Sequence, residues 1–193
     1  MTFVKYIKSA TLEKDFPKTE LQEIAIVGRS NAGKSSLINA IANQKIAHVS
    51  GTPGKTRLLS FFNFNDDFIL VDMPGYGFAE RGQDEQEDWK RMIENYLSGS
   101  PQLKCLILVM DIRRSWAIEE KQIREFSEHL GLPLLLALTK TDKLSRSQVM
   151  KRLVEFEGNV DLKIKIPVSS LKKDGIDDLK KQLYRFIKKP KGS

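Results

Sequence analysis

The chain has 193 residues, 40% hydrophobic and 30% charged, the balance of one globular core rather than of a disordered chain or two full domains. The net charge of +7 sits at one end: residues 1–144 carry 19 basic and 19 acidic side chains, whereas residues 145–193 carry 13 and 6, which points to a polyanionic partner for the last quarter. No apolar run approaches the ~20 residues that span a bilayer, the N-terminus lacks the apolar core of a secretory signal, and the single cysteine, Cys105, excludes an internal disulfide, in keeping with a reducing cytoplasm.

In chain order, residues 1–22 form an N-terminal extension in which Phe3, Val4, Tyr6 and Ile7 either dock on the domain or belong to a mobile tail. The domain proper is expected over 23–189, with 190–193 as a C-terminal tail. It opens with the apolar strand Ile24–Val27. Next comes GRSNAGKS, Gly28 to Ser35, and then Ser36–Ile41 with helical periodicity. A glycine-rich turn between a strand and a helix lets consecutive backbone N–H groups converge on an anion at the positive end of the helix dipole. The candidate phosphate contacts are therefore Gly28, Arg29, Ser30, Asn31, Ala32, Gly33, Lys34, Ser35 and Ser36. In that pattern Lys34 sits against the β- and γ-phosphates and Ser35 offers its hydroxyl to Mg²⁺.

Leu58–Phe64 and Phe68–Val71 are strand-like and joined only by Asn65-Asp66-Asp67, too short for a parallel crossover, so an antiparallel strand is expected at the sheet edge. Asp72-Met73-Pro74-Gly75 follows at the strand tip, where an open α/β sheet presents ligand groups. Such a DxxG suits an aspartate that holds Mg²⁺, directly or through water, and a glycine whose N–H reaches the γ-phosphate. Helical spacing of Trp89, Met92, Ile93, Tyr96 and Leu97 comes next, then a strand over Leu103–Met110 that holds Cys105 as core, a helix over Ile118–Leu130 and a strand over Leu134–Leu138. Thr139-Lys140-Thr141-Asp142 then matches [NT]KxD. Guanine offers N1–H and N2–H₂ on one edge, so one carboxylate, Asp142, can accept both; adenine has no such pair, and an unpaired buried site discriminates strongly. A helix over Gln148–Phe156 and a strand over Ile164–Val168 lead to Ser169-Ser170-Leu171, positioned for a backbone N–H to meet the guanine O6. The last helix, Asp174–Ile187, gathers Ile176, Leu179, Leu183, Phe186 and Ile187 on one face. Lys180, Lys181, Arg185, Lys188 and Lys189 crowd the rest and are the candidate RNA contacts. The expected fold is α/β, a P-loop NTPase three-layer sandwich: a mostly parallel six-stranded sheet with one antiparallel edge strand and helices on both faces.

GRSNAGKS, TPGKTR at Thr52–Arg57, DMPGYG at Asp72–Gly77, TKTD and VSSL resemble the EngB (YsxC/YihA) family of bacterial ribosome-assembly GTPases, within the Era-like, translation-factor-related class. That resemblance implies GTP and GDP as ligands, Mg²⁺ held by Ser35, Thr56 and Asp72, and catalytic roles for Lys34, Thr56 and Gly75. It makes about Ile46–Arg57 the first switch, with Gly54, Lys55 and Thr56 near the phosphates, and Asp72 to about Asp88 the second. Signalling GTPases place a water-orienting glutamine after the DxxG glycine; Tyr76 stands there, so slow turnover is expected, with stabilisation supplied by a partner or a monovalent cation. Asn31 matches a loop asparagine that helps hold K⁺ in related GTPases, or it merely shapes the turn. The resemblance further implies a monomeric, cytoplasmic protein off the membrane that binds the large ribosomal subunit or its rRNA precursor, with indirect effects on septation; the competing reading is a cell-division interaction switch without RNA.

Overall fold

The computed structural model describes residues 3–47, 58–77, 83–159, 162 and 164–187. Seven strands form one sheet: β1 (Val4–Ala10), β2 (Glu23–Gly28), β3 (Leu59–Phe64), β4 (Phe68–Asp72), β5 (Leu103–Asp111), β6 (Leu134–Thr139) and β7 (Ile164–Pro167), in the order β1-β3-β4-β2-β5-β6-β7. From β4 to β7 all neighbours are parallel, while β3 pairs antiparallel with both β4 and β1. The α/β architecture with a parallel majority and an antiparallel edge is as expected, but there are seven strands rather than six. The extra one is β1, built from the extension.

The four strands β4, β2, β5 and β6 read as near-continuous apolar runs because both faces are covered. On one face pack α1 (Lys34–Ala42) and α5 (Ile176–Phe186), over a cluster that includes Ile24, Ile26, Phe62, Phe68, Cys105, Leu179 and Leu183. Burial pushes the Cys105 thiol up to about 12, the state of an inert core residue. On the other face pack α2 (Gln83–Gly99), α3 (Ile118–His129) and α4 (Arg146–Asn159), over Ala25, Val27, Phe61, Tyr96, Leu106 and Leu136. The α5 stripe is as read: Ile176, Leu179 and Leu183 are buried, with Phe186 and Ile187 half-buried against the same cluster. Parallel register brings the C-terminal tips of β2, β4, β5 and β6 to one edge, where Gly28, Asp72, Asp111 and Thr139 end their strands.

Candidate nucleotide-binding site

At that edge the loop after β2 turns into α1 through Gly33, whose φ of 100° lies in the left-handed region. A side chain there would be strained and would meet the Thr139 hydroxyl at 3.5 Å. Asn31 is also left-handed, at φ 61°, and its side chain is exposed. Arg29, Ser30, Gly33, Lys34, Ser35 and Ser36 are half-buried around the mouth of the loop, and Ala32 is buried. The Lys34 ammonium lies 3.5 Å from the Gly28 carbonyl oxygen; burial lowers its pKa, against the attraction of Asp72.

β4 brings the DxxG segment onto this loop. The Ser30 N–H donates to the Tyr76 carbonyl at 2.9 Å, and the Tyr76 N–H reaches the Gly28 carbonyl at 3.4 Å. Gly75 is pressed so closely that an added Cβ would lie 3.0 Å from the Ser30 nitrogen and 3.2 Å from the Lys34 ammonium. Met73 and Pro74 are buried beside it. The Tyr76 side chain turns away from the loop: its hydroxyl donates to Glu120 Oε1 of α3 at 2.8 Å, and its ring packs on Trp89 of α2, whose indole N–H donates to the Pro74 carbonyl at 2.9 Å.

Asp72 is buried, and its Oδ1 has no hydrogen-bond partner among the described residues. Burial raises its pKa to about 6, with the Lys34 ammonium pulling the other way. A buried carboxylate oxygen without a protein donor, beside the first turn of α1 with Ser35, fits a cation completed by phosphate and water. No group of three or more His, Cys, Asp or Glu side chains suited to a metal occurs among the described residues.

On the β6 side, Thr139 Oγ1 donates to the Ala32 carbonyl at 2.5 Å and the Lys140 ammonium to the Asn31 carbonyl at 2.7 Å. The loop carrying Asp142 is thus fastened to two consecutive carbonyls of the phosphate loop. Thr141 and Asp142 are half-buried. The Ser169 hydroxyl donates to Asp142 Oδ1 at 2.8 Å, which holds that carboxyl below its usual range. The Ser169 N–H itself donates to the Asp174 carbonyl; Ser170 Oγ is buried with no hydrogen-bond partner among the described residues, and Leu171 is 77% exposed.

Residues 23–140 match the family described as 50S ribosome-binding GTPase. Over 181 residues the chain is 54% identical to the probable GTP-binding protein EngB of Bdellovibrio bacteriovorus, spanning 94% of this chain and 90% of that protein. The chain belongs to the EngB family. It is accordingly a GTP-binding protein of the GTPase superfamily. A solved structure of another probable GTP-binding protein engB superposes with a TM-score of 0.67 at 28% identity, over 85% of this chain and 97% of that one. Era, solved with MgGDPNP and nucleotides 1506–1542 of 16S ribosomal RNA, gives 0.72 at 23% identity over 89% and 58%, a likeness of fold.

In this EngB family member Gly54, Lys55, Thr56, Lys188 and Lys189 fall outside the described residues. Of the basic set on α5, Arg185 is exposed, Lys180 is half-buried, and Lys181 lies 3.4 Å from Asp178 in an exposed pair. Three features were not read from the sequence: the Tyr76–Glu120 pin, the Trp89 indole contact, and Asp111 at the tip of β5. Each depends on residues far apart in the chain, and only Asp111 left a local trace, a carboxylate at the end of an apolar strand. No helix among the described residues is long and apolar enough to cross a membrane.

Proposed function

We propose that this chain is a slowly turning-over GTPase that acts as a switch in assembly of the large ribosomal subunit. The observation that carries the nucleotide part is the joining of the phosphate loop to the guanine-type motif, Thr139 to Ala32 and Lys140 to Asn31, with Asp72 at the same sheet edge. The N–H groups of Gly28–Ser36 cradle the phosphates, Lys34 balances their charge, and Asp142 with Ser169 behind it accepts the guanine N1–H and N2–H₂. Mg²⁺, when bound, neutralises charge between the β- and γ-phosphates; the Ser35 hydroxyl, Thr56 and Asp72 would hold it, Asp72 through water. Thr56, from the first switch, and the Gly75 N–H respond to the γ-phosphate.

Slow turnover is supported by where Tyr76 points. Its phenol is committed to Glu120 and away from the phosphate loop, leaving no carboxamide to orient water, so stabilisation comes from a partner or from a monovalent cation beside Asn31. The ribosomal role is supported by the description of the matched family as 50S ribosome-binding and by the charge concentrated in residues 145–193. In this reading Lys180, Lys181, Arg185, Lys188 and Lys189 meet rRNA phosphates, in a monomeric cytoplasmic protein.

Co-sedimentation with ribosomal particles under GTP, GDP and no nucleotide tests this. Association is expected with GTP, weakening steeply as salt rises because released counterions drive phosphate contacts, and weakening further when Lys181 and Arg185 are changed to Glu. A flat salt response, or binding indifferent to nucleotide, would overturn the ribosomal reading.

A further inference from the structure

We infer that Asp111 is the positioning residue of the nucleotide grip: its buried carboxylate holds the Lys140 ammonium on the Asn31 carbonyl, so that the base-reading loop and the phosphate loop grip nucleotide as one unit. This rests on the nucleotide reading above and names the residue through which its two halves are coupled.

The register explains the placement. Asp111 is the last residue of β5 and pairs with Thr139 of β6, one residue before Lys140; β5 also flanks β2, where Gly28 pairs with Val109. The tip of β5 is therefore wedged between the two loops. The Asp111 side chain is 4% exposed, with Oδ2 3.2 Å from the Lys140 ammonium, and that ammonium donates to the Asn31 carbonyl at 2.7 Å. Lys140 and Asn31 both take left-handed backbone conformations, at φ 63° and 61°. Each loop is thus bent toward the same ammonium.

A neutral carbonyl alone is a poor anchor for a lysine, whose flexible stem loses rotamer freedom when it is held. A carboxylate on the other side of the ammonium supplies the charge-assisted bond that makes the geometry hold. The remaining capacity of Asp111 is filled by Arg113. Its backbone N–H and Nε donate to Oδ1 at 3.1 and 2.9 Å, and Nη2 to Oδ2 at 2.6 Å. Burial by itself would raise the Asp111 pKa, but the bonds from Arg113 and Lys140 outweigh it and hold the group at about 2, so it is ionised at every working pH. With both oxygens occupied by protein donors, Asp111 acts through Lys140. The other carboxylate of the motif, Asp142, is engaged by Ser169 and lies 3.7 Å from Lys143.

The test is a cycle of variants read by the dissociation constant of fluorescent GDP, with melting of the nucleotide-free protein measured alongside. Asp111→Asn is expected to weaken GDP roughly ten- to hundredfold, the range for a lost bond to a charged group, and Lys140→Ala to weaken it at least as much. The double variant should bind no more weakly than Lys140→Ala alone, within about twofold, since a positioning residue has nothing left to position. Arg113→Ala removes the two side-chain hydrogen bonds from Arg113 to Asp111 but not its hold on Lys140, so it should stay within about twofold of the parent even where its melting temperature falls. Asp111→Glu keeps the charge and displaces it by one methylene; its weakening should likewise vanish in the Lys140→Ala background, which provides the answer if Asp111→Asn does not fold. Undiminished affinity in Asp111→Asn, or penalties that multiply in the double variant, would overturn the inference while leaving the nucleotide reading standing. No effect of Lys140→Ala on GDP binding would remove both.

Discussion

Asp72 carries an electrostatic cost in the site, because its Oδ1 is buried with no hydrogen-bond partner among the described residues and burial lifts its pKa to about 6 from an ordinary 3.8. For a carboxylate raised in this way, the contribution to stability of the ligand-free fold is full below the unfolded value and is lost as pH rises through about 6. Mg²⁺ held as proposed at Asp72 would reverse that preference, since it needs the ionised oxygen. Apparent Mg²⁺ affinity of the GDP complex is therefore expected to be full at pH 8 and to fall about tenfold for each unit below pH 6. Thermal shifts with Mg²⁺ and GDP check this, against the same titration in EDTA to account for the nucleotide's own protonation. A magnesium increment as large at pH 5 as at pH 8 would show that Asp72 is not the titrating group. The phosphate loop and the TKTD stretch were legible because each is a run of adjacent residues whose chemistry is local. The partners that tune them were not. Ser169 orients Asp142 from 27 residues away, and Tyr76 meets Glu120 across 44; no periodicity records either distance.

Among the elements, the proposed second switch is pinned on two sides at its described residues 72–77. Its backbone is laid on the phosphate loop through Gly28 and Ser30 and accepts the Trp89 indole N–H of α2 at the Pro74 carbonyl, while the Tyr76 side chain packs on Trp89 and donates to Glu120 of α3. Arg29 adds a 3.3 Å link to Glu119 of α3. A Cβ added at Gly75 would come within 3.0 Å of the Ser30 nitrogen and 3.2 Å of the Lys34 ammonium, so a γ-phosphate arriving at Lys34 is expected to shift Gly75, and Pro74 with it. The Trp89 indole bond to Pro74 should then report the nucleotide state. Binding of a non-hydrolysable GTP analogue is expected to change intrinsic fluorescence in the parent and in Trp116→Phe, and to lose most of that change in Trp89→Phe. A change that follows Trp116 instead would mean that the displacement does not reach α2. The elements were legible to the extent that they are buried on both faces, as the strands β2, β4, β5 and β6 are. β1 was not: only Val4 and Ala10 of its seven residues are buried, and Lys5 and Lys8 interrupt an apolar pattern that reads equally well as a tail.

For the whole molecule, β1 decides where the fold begins. It pairs with β3 from Val4 opposite Phe64 to Ala10 opposite Leu59, with an irregularity between Tyr6 and Lys8. Gln44 at the end of α1 donates to its Val4 carbonyl at 2.6 Å. Just beyond β1, Phe16 packs on Phe61 and Tyr96 with ring centroids 5.4 and 5.6 Å away. The Tyr96 hydroxyl in turn donates to Glu23 at 2.7 Å, at the start of the first central strand. The bulge and the two lysines on β1 discourage pairing with other chains, as edge strands commonly require; β3, rich in phenylalanine, has no such protection. Deleting residues 1–16 should therefore do two separable things. Stability should fall by several kcal/mol, on the order of what burial of Val4, Ala10 and Phe16 contributes, read as a lower urea midpoint. The bare β3 edge should also make the shortened protein scatter light on warming at concentrations where the full chain stays clear. Lys and Glu introduced at Ser60 and Asn63 should reduce the scattering without restoring the midpoint, because charge guards an edge but replaces no core. An unchanged midpoint after the deletion would show that residues 1–16 are dispensable to the fold and that the domain begins at β2.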